Sequence, residues 1–228
     1  MSSVPPSTDI VRERVDRLRA LIRELRGDPH AVRIIAVTKT FDASALDVAA
    51  AAGCDAVAEN YAQELLAKLP LRVGPTALPV HFIGHLQSNK VKSLFPHVDV
   101  WHTVDRASVV SALGKEGKSR GVAPRVLIQV NSTGEAQKSG CEPVDAAALV
   151  DAARDNGLEV LGLMTMGPSD ADPVLTRRSF GLAATLAAEL GLAELSMGMT
   201  HDVRIAIEEG ATMVRIGSGL FGERPRSA

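Results

Sequence analysis

The run RIIAVTKT, residues 33–40, decides the fold. Ile34, Ile35, Ala36 and Val37 follow one another with no polar residue between them. A strand buried on both faces reads this way, whereas a strand with one wet face alternates. The chain then breaks at Phe41 and Asp42 and enters an alanine-rich stretch, which leaves Lys39 at the carboxyl end of a strand. Side chains alternate across a strand, so Lys39 shares a face with Val37 and Ile35.

The same unit recurs along the chain. Spacing predicts strands at 33–38, 55–58, 80–83, 98–103, 125–130, 159–164, 194–197 and 212–216. Helices are predicted at 42–52, 61–69, a short one from Ser88, then 106–119, 143–156, 173–190 and 201–209, with a Gly/Pro-containing loop before the third strand. Strands alternating with helices across mostly short loops give the count of an α/β protein built as one (β/α)8 TIM barrel. An open doubly wound sheet obeys the same local pattern, but no Gly-rich phosphate loop follows the first strand.

Ahead of that strand, Ile10, Val11, Val15, Leu18, Leu21, Ile22 and Leu25 recur at helical spacing. They predict an extra N-terminal helix from Thr8, capped by Thr8 or Asp9 and stopped at Gly27 and Pro29, that covers the bottom or side of the barrel. The Ser/Pro-rich residues 1–7 are expected to be disordered, and 8–228 to form one domain.

Composition narrows the function classes. Of 228 residues, 46% are hydrophobic and only 3% aromatic, an aliphatic balance that suits helices packed on a parallel sheet. A net charge of −2 and the lack of a basic patch with interleaved aromatics argue against nucleic acid as a partner. Cys54 and Cys141 match no CxxC spacing and read as reduced thiols. No apolar run reaches membrane-spanning length, and MSSVPPSTDI lacks the pattern of a signal peptide. A soluble cytoplasmic protein is expected.

Barrel chemistry sits at the carboxyl ends of the strands. There the amine of Lys39 would enter an apolar mouth, where desolvation lowers a lysine's pKa and suits reaction with an aldehyde. A lysine snorkelling from a strand end to water is the plain alternative. Lys138, in the polar loop 131–140, is the competing amine, expected to be solvated and protonated. After the seventh and eighth strands come SMGMT (196–200) and RIGSG (215–219). Barrels commonly bind a phosphate there, because glycines let backbone N–H groups approach an anion. Thr200, Gly217 and Ser218 are the candidates, with ordinary turn glycines as the alternative.

Arg215 shares a face with Met213 and points inward if Val214 and Ile216 face the helices. A buried arginine needs an acceptor: an ion pair, for instance with Glu59, or the ring nitrogen of a pyridine cofactor. A lysine, a phosphate site and an arginine at a ring nitrogen together describe pyridoxal 5′-phosphate. Asn60, ending the second strand, and Met164, ending the sixth, join the candidate set. Met164 either packs on a flat ring or fills the core. His81 and His102 read as core or rim hydrogen-bonders.

The motifs AVTKT, AENY, HFIGHLQSNK, HTVDR, QVN, KSG, GLMTM, LSMGMTHD and VRIGSGLFG occur in that order. Over residues 10–224 the chain resembles the pyridoxal phosphate homeostasis proteins. The resemblance implies the barrel of the alanine racemase N-terminal domain and pyridoxal 5′-phosphate held as an aldimine on Lys39. It also implies a phosphate bound by Thr200, Gly217 and Ser218, with Arg215 facing the pyridine nitrogen. Val57 and Ala58 stand where the family often has phenylalanine and glycine, Val80 where a tryptophan is frequent, and Thr200 where serine is common. The hydroxyl is kept at 200.

The implied role is cofactor homeostasis without established turnover, with pyridoxal phosphate-dependent apoenzymes as recipients. A racemase-like enzyme is the alternative. It needs a second acid/base opposite Lys39, and alanine racemases take that tyrosine from a further domain, whereas Tyr61 is the one tyrosine here. An arginine at the ring nitrogen also disfavours its protonation and weakens the ring as an electron sink. An aldolase using Lys39 directly on substrate is a third reading.

Overall fold

The computed structural model describes residues 3–71 and 78–222. Strands β1 (Arg33–Val37), β2 (Ala56–Glu59), β3 (Val80–Phe82), β4 (Val100–Val104), β5 (Arg125–Gln129), β6 (Glu159–Met164), β7 (Glu194–Ser196) and β8 (Met213–Ile216) are parallel and close a barrel in chain order. Closure comes where β8 returns to β1, with Ile35 opposite Arg215. The helices are α1 (Thr8–Arg26), α2 (Ser44–Ala51), α3 (Ala62–Lys68), α4 (Val91–Leu94), α5 (Ala107–Arg120), α6 (Ala146–Asp155), α7 (Pro173–Glu189), α8 (Val203–Glu208) and α9 (Ser218–Phe221).

The period of two sorts the strand residues into two apolar layers. Ile35, Val37, Ala56, Ala58, Leu127, Met164 and Met213 fill the barrel interior. Ile34, Ala36, Val57, Phe82, Trp101, Ile128, Leu163, Val214 and Ile216 face outward into the layer beneath the helices. Helix α1 packs on α2, α8 and α9 and so covers the side of the barrel, near the closure of β8 on β1. Its buried Val11, Val15 and Ile22 each contribute about 1.5–3 kcal/mol of apolar burial, which makes the helix part of the ring.

Local chemistry moves some boundaries. The stretch 143–156 is a 3₁₀ turn, Pro143–Asp145, followed by α6. After β3 the expected helix is broken into a 3₁₀ turn, α4 and a second 3₁₀ turn that holds Pro96. Helix α1 is capped by Ser7 rather than Thr8 or Asp9: Ser7 is extended, whereas Thr8 is already helical.

The expected disorder of 1–7 does not hold at Ser3. Its N–H donates to Thr40 O at 2.9 Å and its carbonyl accepts from Asp42 N at 2.9 Å. Residues 1–2, the Gly/Pro loop at 72–77 and the end of the chain at 223–228 lie outside the described residues. Among the described residues no helix is long and apolar enough to cross a membrane.

Candidate cofactor site

Lys39 follows β1 in the register of Ile35 and Val37, the interior residues, and is partly buried at the mouth. Thr38 and Glu59 have the opposite parity and lie buried beneath α3. There Lys68 Nζ donates to Thr38 O at 2.9 Å, Glu59 Oε1 at 2.7 Å and Glu64 Oε2 at 3.3 Å. Thr38 Oγ1 donates to Glu59 Oε1 at 2.6 Å, and Thr40 N to Glu64 Oε2 at 2.8 Å. Burial pushes the Glu59 carboxyl up from its usual range, opposed by the Lys68 ammonium beside it. Thr40, a β-branched residue, has φ 71°, in the left-handed region such residues rarely enter. Asn60 ends β2 on the mouth side, and its Oδ1 is buried with no hydrogen-bond partner among the described residues.

The loops after β7 and β8 meet. Thr200 Oγ1 lies 3.2 Å from Ser218 Oγ and accepts from Gly219 N at 3.0 Å. A Cβ at Gly219 would fall 2.9 Å from Ile216 Cγ2 and 3.1 Å from Thr200 Oγ1, so glycine is what lets the hydroxyl approach that backbone. At Gly217 the nearest atoms to a Cβ would belong to Val37, at 3.6 Å, ordinary van der Waals contact. Protein crowding does not demand a glycine there, and the space beside its backbone opens next to the end of β1.

Arg215 is on the interior face, 3% exposed. It does not reach Glu59, whose parity turns it outward to Lys68. Its acceptors are backbone and hydroxyl oxygens: Ser196 O and Ser196 Oγ, each 2.7 Å from Nη1, and Thr165 O, 2.9 Å from Nη2. Burial lowers its pKa to about 10, with Asp202 opposing, so it is cationic at neutral pH. A guanidinium carries five N–H donors, and these bonds leave Nε and one N–H of Nη2 without a hydrogen bond among the described residues.

A hydrogen-bonded chain runs on from Ser196. His102 Nδ1 lies 3.0 Å from Ser196 Oγ, and His81 Nδ1 lies 2.8 Å from His102 Nε2. Arg215 only donates, so the Ser196 hydroxyl accepts from it. Burial lowers His81 to about 3, helped by Arg33 and Arg125, and lowers His102 well below its ordinary value. Both rings are therefore neutral at neutral pH. Met164 lies among the interior apolar residues, 2% exposed.

Lys138 departs from expectation. Its Nζ is bonded to Gly167 O and paired with the Glu135 carboxylate, and its side chain is only 12% exposed. The loop folds back on the residues after β6, so this amine is held by fixed acceptors rather than solvated. The hydrogen bond from Lys138, with one from Ser169 N, holds the Glu135 carboxyl at about 2. Sequence reasoning missed Glu64, Lys68, Thr165 and Ser196. The Glu64–Lys68 spacing of four on a helix was the one available signal.

The chain matches the family model for the alanine racemase N-terminal domain over residues 12–225. It is 39% identical over 226 residues to the pyridoxal phosphate homeostasis protein of Pseudomonas aeruginosa, covering 96% of this chain and 97% of that protein. The chain belongs to the pyridoxal phosphate homeostasis protein family. Among solved structures, PipY of Synechococcus elongatus with PLP bound superimposes with a TM-score of 0.82 at 33% identity, covering 93% of this chain and all of that one (100%). An alanine racemase of Clostridium difficile superimposes with a TM-score of 0.73 over 94% of this chain and 58% of that one. At 13% identity that likeness shows the fold alone.

Membership in this family makes pyridoxal 5′-phosphate the group to test against the residues present, and they fit it. The unpartnered Asn60 Oδ1, the unused donors of Arg215, the Thr200–Ser218 hydroxyl pair and the backbone at Gly217 lie at or just beyond the carboxyl ends of their strands, as Lys39 does.

Proposed function

We propose that this protein binds pyridoxal 5′-phosphate at the mouth of its barrel and serves as a carrier or buffer of that cofactor inside the cell. The carrying observation is that Gly217, between Arg215 and the Thr200–Ser218 hydroxyl pair, abuts Val37, two residues before Lys39. Amine, anion donors and ring-nitrogen donor therefore share one opening. The cofactor, when bound, supplies an aldehyde that an amine captures reversibly and a ring that accepts electrons.

In this reading Lys39 is the capturing amine. Thr200 and Ser218 donate hydroxyl hydrogen bonds to the phosphate, and Gly217 lets the backbone come close. Asn60 offers a polar contact at the rim, and Met164 offers an apolar floor. Arg215 can only donate, so it keeps its proton and leaves the ring nitrogen unprotonated, which limits the ring as an electron sink. That favours holding and releasing the cofactor over amino-acid turnover.

Tyr61, the residue a racemase-like reading would draw on, is 53% exposed and lines a surface cleft with Gln63, His85 and Lys90. The recipients in this proposal are pyridoxal phosphate-dependent apoenzymes of the cytoplasm. Titrating the protein with pyridoxal 5′-phosphate tests the reading: a saturable visible absorbance band at one equivalent supports it, and no spectral change refutes it. Incubating the loaded protein with L-alanine and finding D-alanine would favour the racemase alternative.

A further inference from the structure

Beneath α3, on the outer side of the wall that bears Lys39, lies an ion cluster that cofactor binding does not use. Glu59 is fully buried at 0% exposure, and the Lys68 side chain is 6% exposed. Burying charges this deeply is costly, and an ion pair of this kind is weak evidence for added stability. Its connections have a more specific consequence. All three Lys68 ammonium protons have acceptors, and one of those acceptors is the carbonyl of Thr38. Glu59 holds the Thr38 hydroxyl, and Glu64 holds the Thr40 N–H. The cluster thus grips the backbone immediately before and immediately after Lys39.

The gripped turn is one the chain would not keep by itself. Thr40 sits at φ 71° with its Oγ1 buried and unpartnered among the described residues. A β-branched residue in that conformation is strained and persists only where its surroundings over-determine it. The hydrogen bond from Thr40 N to Glu64 and the bond from Ser3 N to Thr40 O supply that determination. A residue at the normal φ would redirect the chain immediately after Lys39.

We infer that Glu59, Glu64 and Lys68 form a clamp that positions Lys39, holding its backbone so that the amine enters the barrel mouth. They are positioning residues, acting through Thr38 and Thr40 without touching the cofactor. This inference rests on the reading of Lys39 as the capturing amine.

The test uses Glu64, because its side chain, 30% exposed, is the least buried of the three. Glu64→Ala removes the acceptor for Thr40 N–H, whereas Glu64→Gln keeps an oxygen there without the charge. Full-length wild type and both variants are titrated with pyridoxal 5′-phosphate, reduced with borohydride and mapped by mass spectrometry, with melting curves alongside. Glu64→Ala should raise the half-saturating concentration about tenfold or more, a size typical when a supporting contact is lost. Glu64→Gln should restore most of that loss.

In the cofactor-free protein, exchange of the Thr40 amide should accelerate in Glu64→Ala and not in Glu64→Gln. An unchanged titration or an unchanged Thr40 amide in Glu64→Ala overturns the clamp while leaving Lys39 as the cofactor amine. Failure of Glu64→Gln to restore capture also overturns it. Absence of label on Lys39 in the wild type removes the underlying reading instead.

Discussion

His81 Nδ1 and His102 Nε2 lie 2.8 Å apart inside the barrel, and burial keeps both rings neutral at neutral pH. One ring donates to the other across this contact, and His102 Nδ1 lies 3.0 Å from Ser196 Oγ, which in turn accepts from Arg215. Protons on both facing nitrogens would set two donors against each other, so only one of the two can carry a proton. The imidazoles therefore reach past their own packing to the arginine assigned to the ring nitrogen.

A pH dependence of stability follows from this pair. Burial depresses the native His81 pKa to about 3, against the ordinary 6.5 of the unfolded chain. Below pH 6.5 the unfolded state binds a proton that the native state refuses, so the contribution is complete above that pH and lost as pH falls toward 3. Between pH 7 and 5 His81 alone should cost about 2 kcal/mol, at about 1.4 kcal/mol per pH unit. His102 is shifted in the same direction and steepens the loss. Glu59 opposes it, because its raised pKa makes protonation favour the native state. Urea unfolding of wild type and His81→Asn at pH 7, 6 and 5 isolates the histidine share; parallel profiles would contradict the neutral pair.

Thr200 carries a second expectation. Its hydroxyl sits 3.2 Å from that of Ser218 and accepts the Gly219 N–H, which leaves its own proton for an anion. Thr200→Ala should weaken retention of the cofactor by about 1.5–3 kcal/mol, the usual size of a hydrogen bond to a charged group. Dialysis that strips wild type and variant at the same rate would show that the phosphate is bound elsewhere.

Crowding at Gly219 gives a third. An alanine Cβ there would press on Ile216 and on the Thr200 side chain, at 2.9 and 3.1 Å. Gly219→Ala should cost about 1–3 kcal/mol of stability, as overpacking does, and weaken cofactor binding in the same protein. A variant with unchanged melting and unchanged binding would mean that the Thr200 contact does not shape the site.

Lys68 offers a test on folding rather than binding. Removing its ammonium leaves Glu59 buried without a counter-ion. Lys68→Met should destabilise the protein by about 3–5 kcal/mol. Restoring a neutral pair with the double change Glu59→Gln and Lys68→Met should recover part of that loss. A single variant as stable as wild type in denaturant titration would show that the buried pair is not formed.

What the sequence made legible follows physical range. The barrel could be read because each strand announces itself locally, as Ile34 to Val37 do, and because parallel strands buried on both faces leave runs without alternation. The interior placing of Arg215 followed from the same period of two, since Val214 and Ile216 had to face helices. Its acceptors could not be read, because two of them are main-chain carbonyls, at Thr165 and Ser196, which leave no trace in residue type. Lys68 looked like any helix-end lysine, and only the packing of α3 over Thr38 and Glu59 makes it a buried ion. Lys138 misled for the reciprocal reason: a polar, Gly-containing loop reads as solvated, yet this one folds back onto Gly167 and Glu135. The meeting of Thr200 with Ser218 was the most legible juxtaposition, because both occupy loops after β7 and β8 that barrel topology alone brings together.

The central claim is that Lys39 holds the cofactor. Its most direct test is borohydride reduction of the protein loaded with pyridoxal 5′-phosphate, followed by peptide mass mapping, on wild type and Lys39→Ala. The expected result is a pyridoxyl mass on the peptide containing Lys39 in the wild type, with the visible absorbance band and the label both lost in the variant. A label on Lys138 or another lysine, or a band that survives Lys39→Ala, would contradict it.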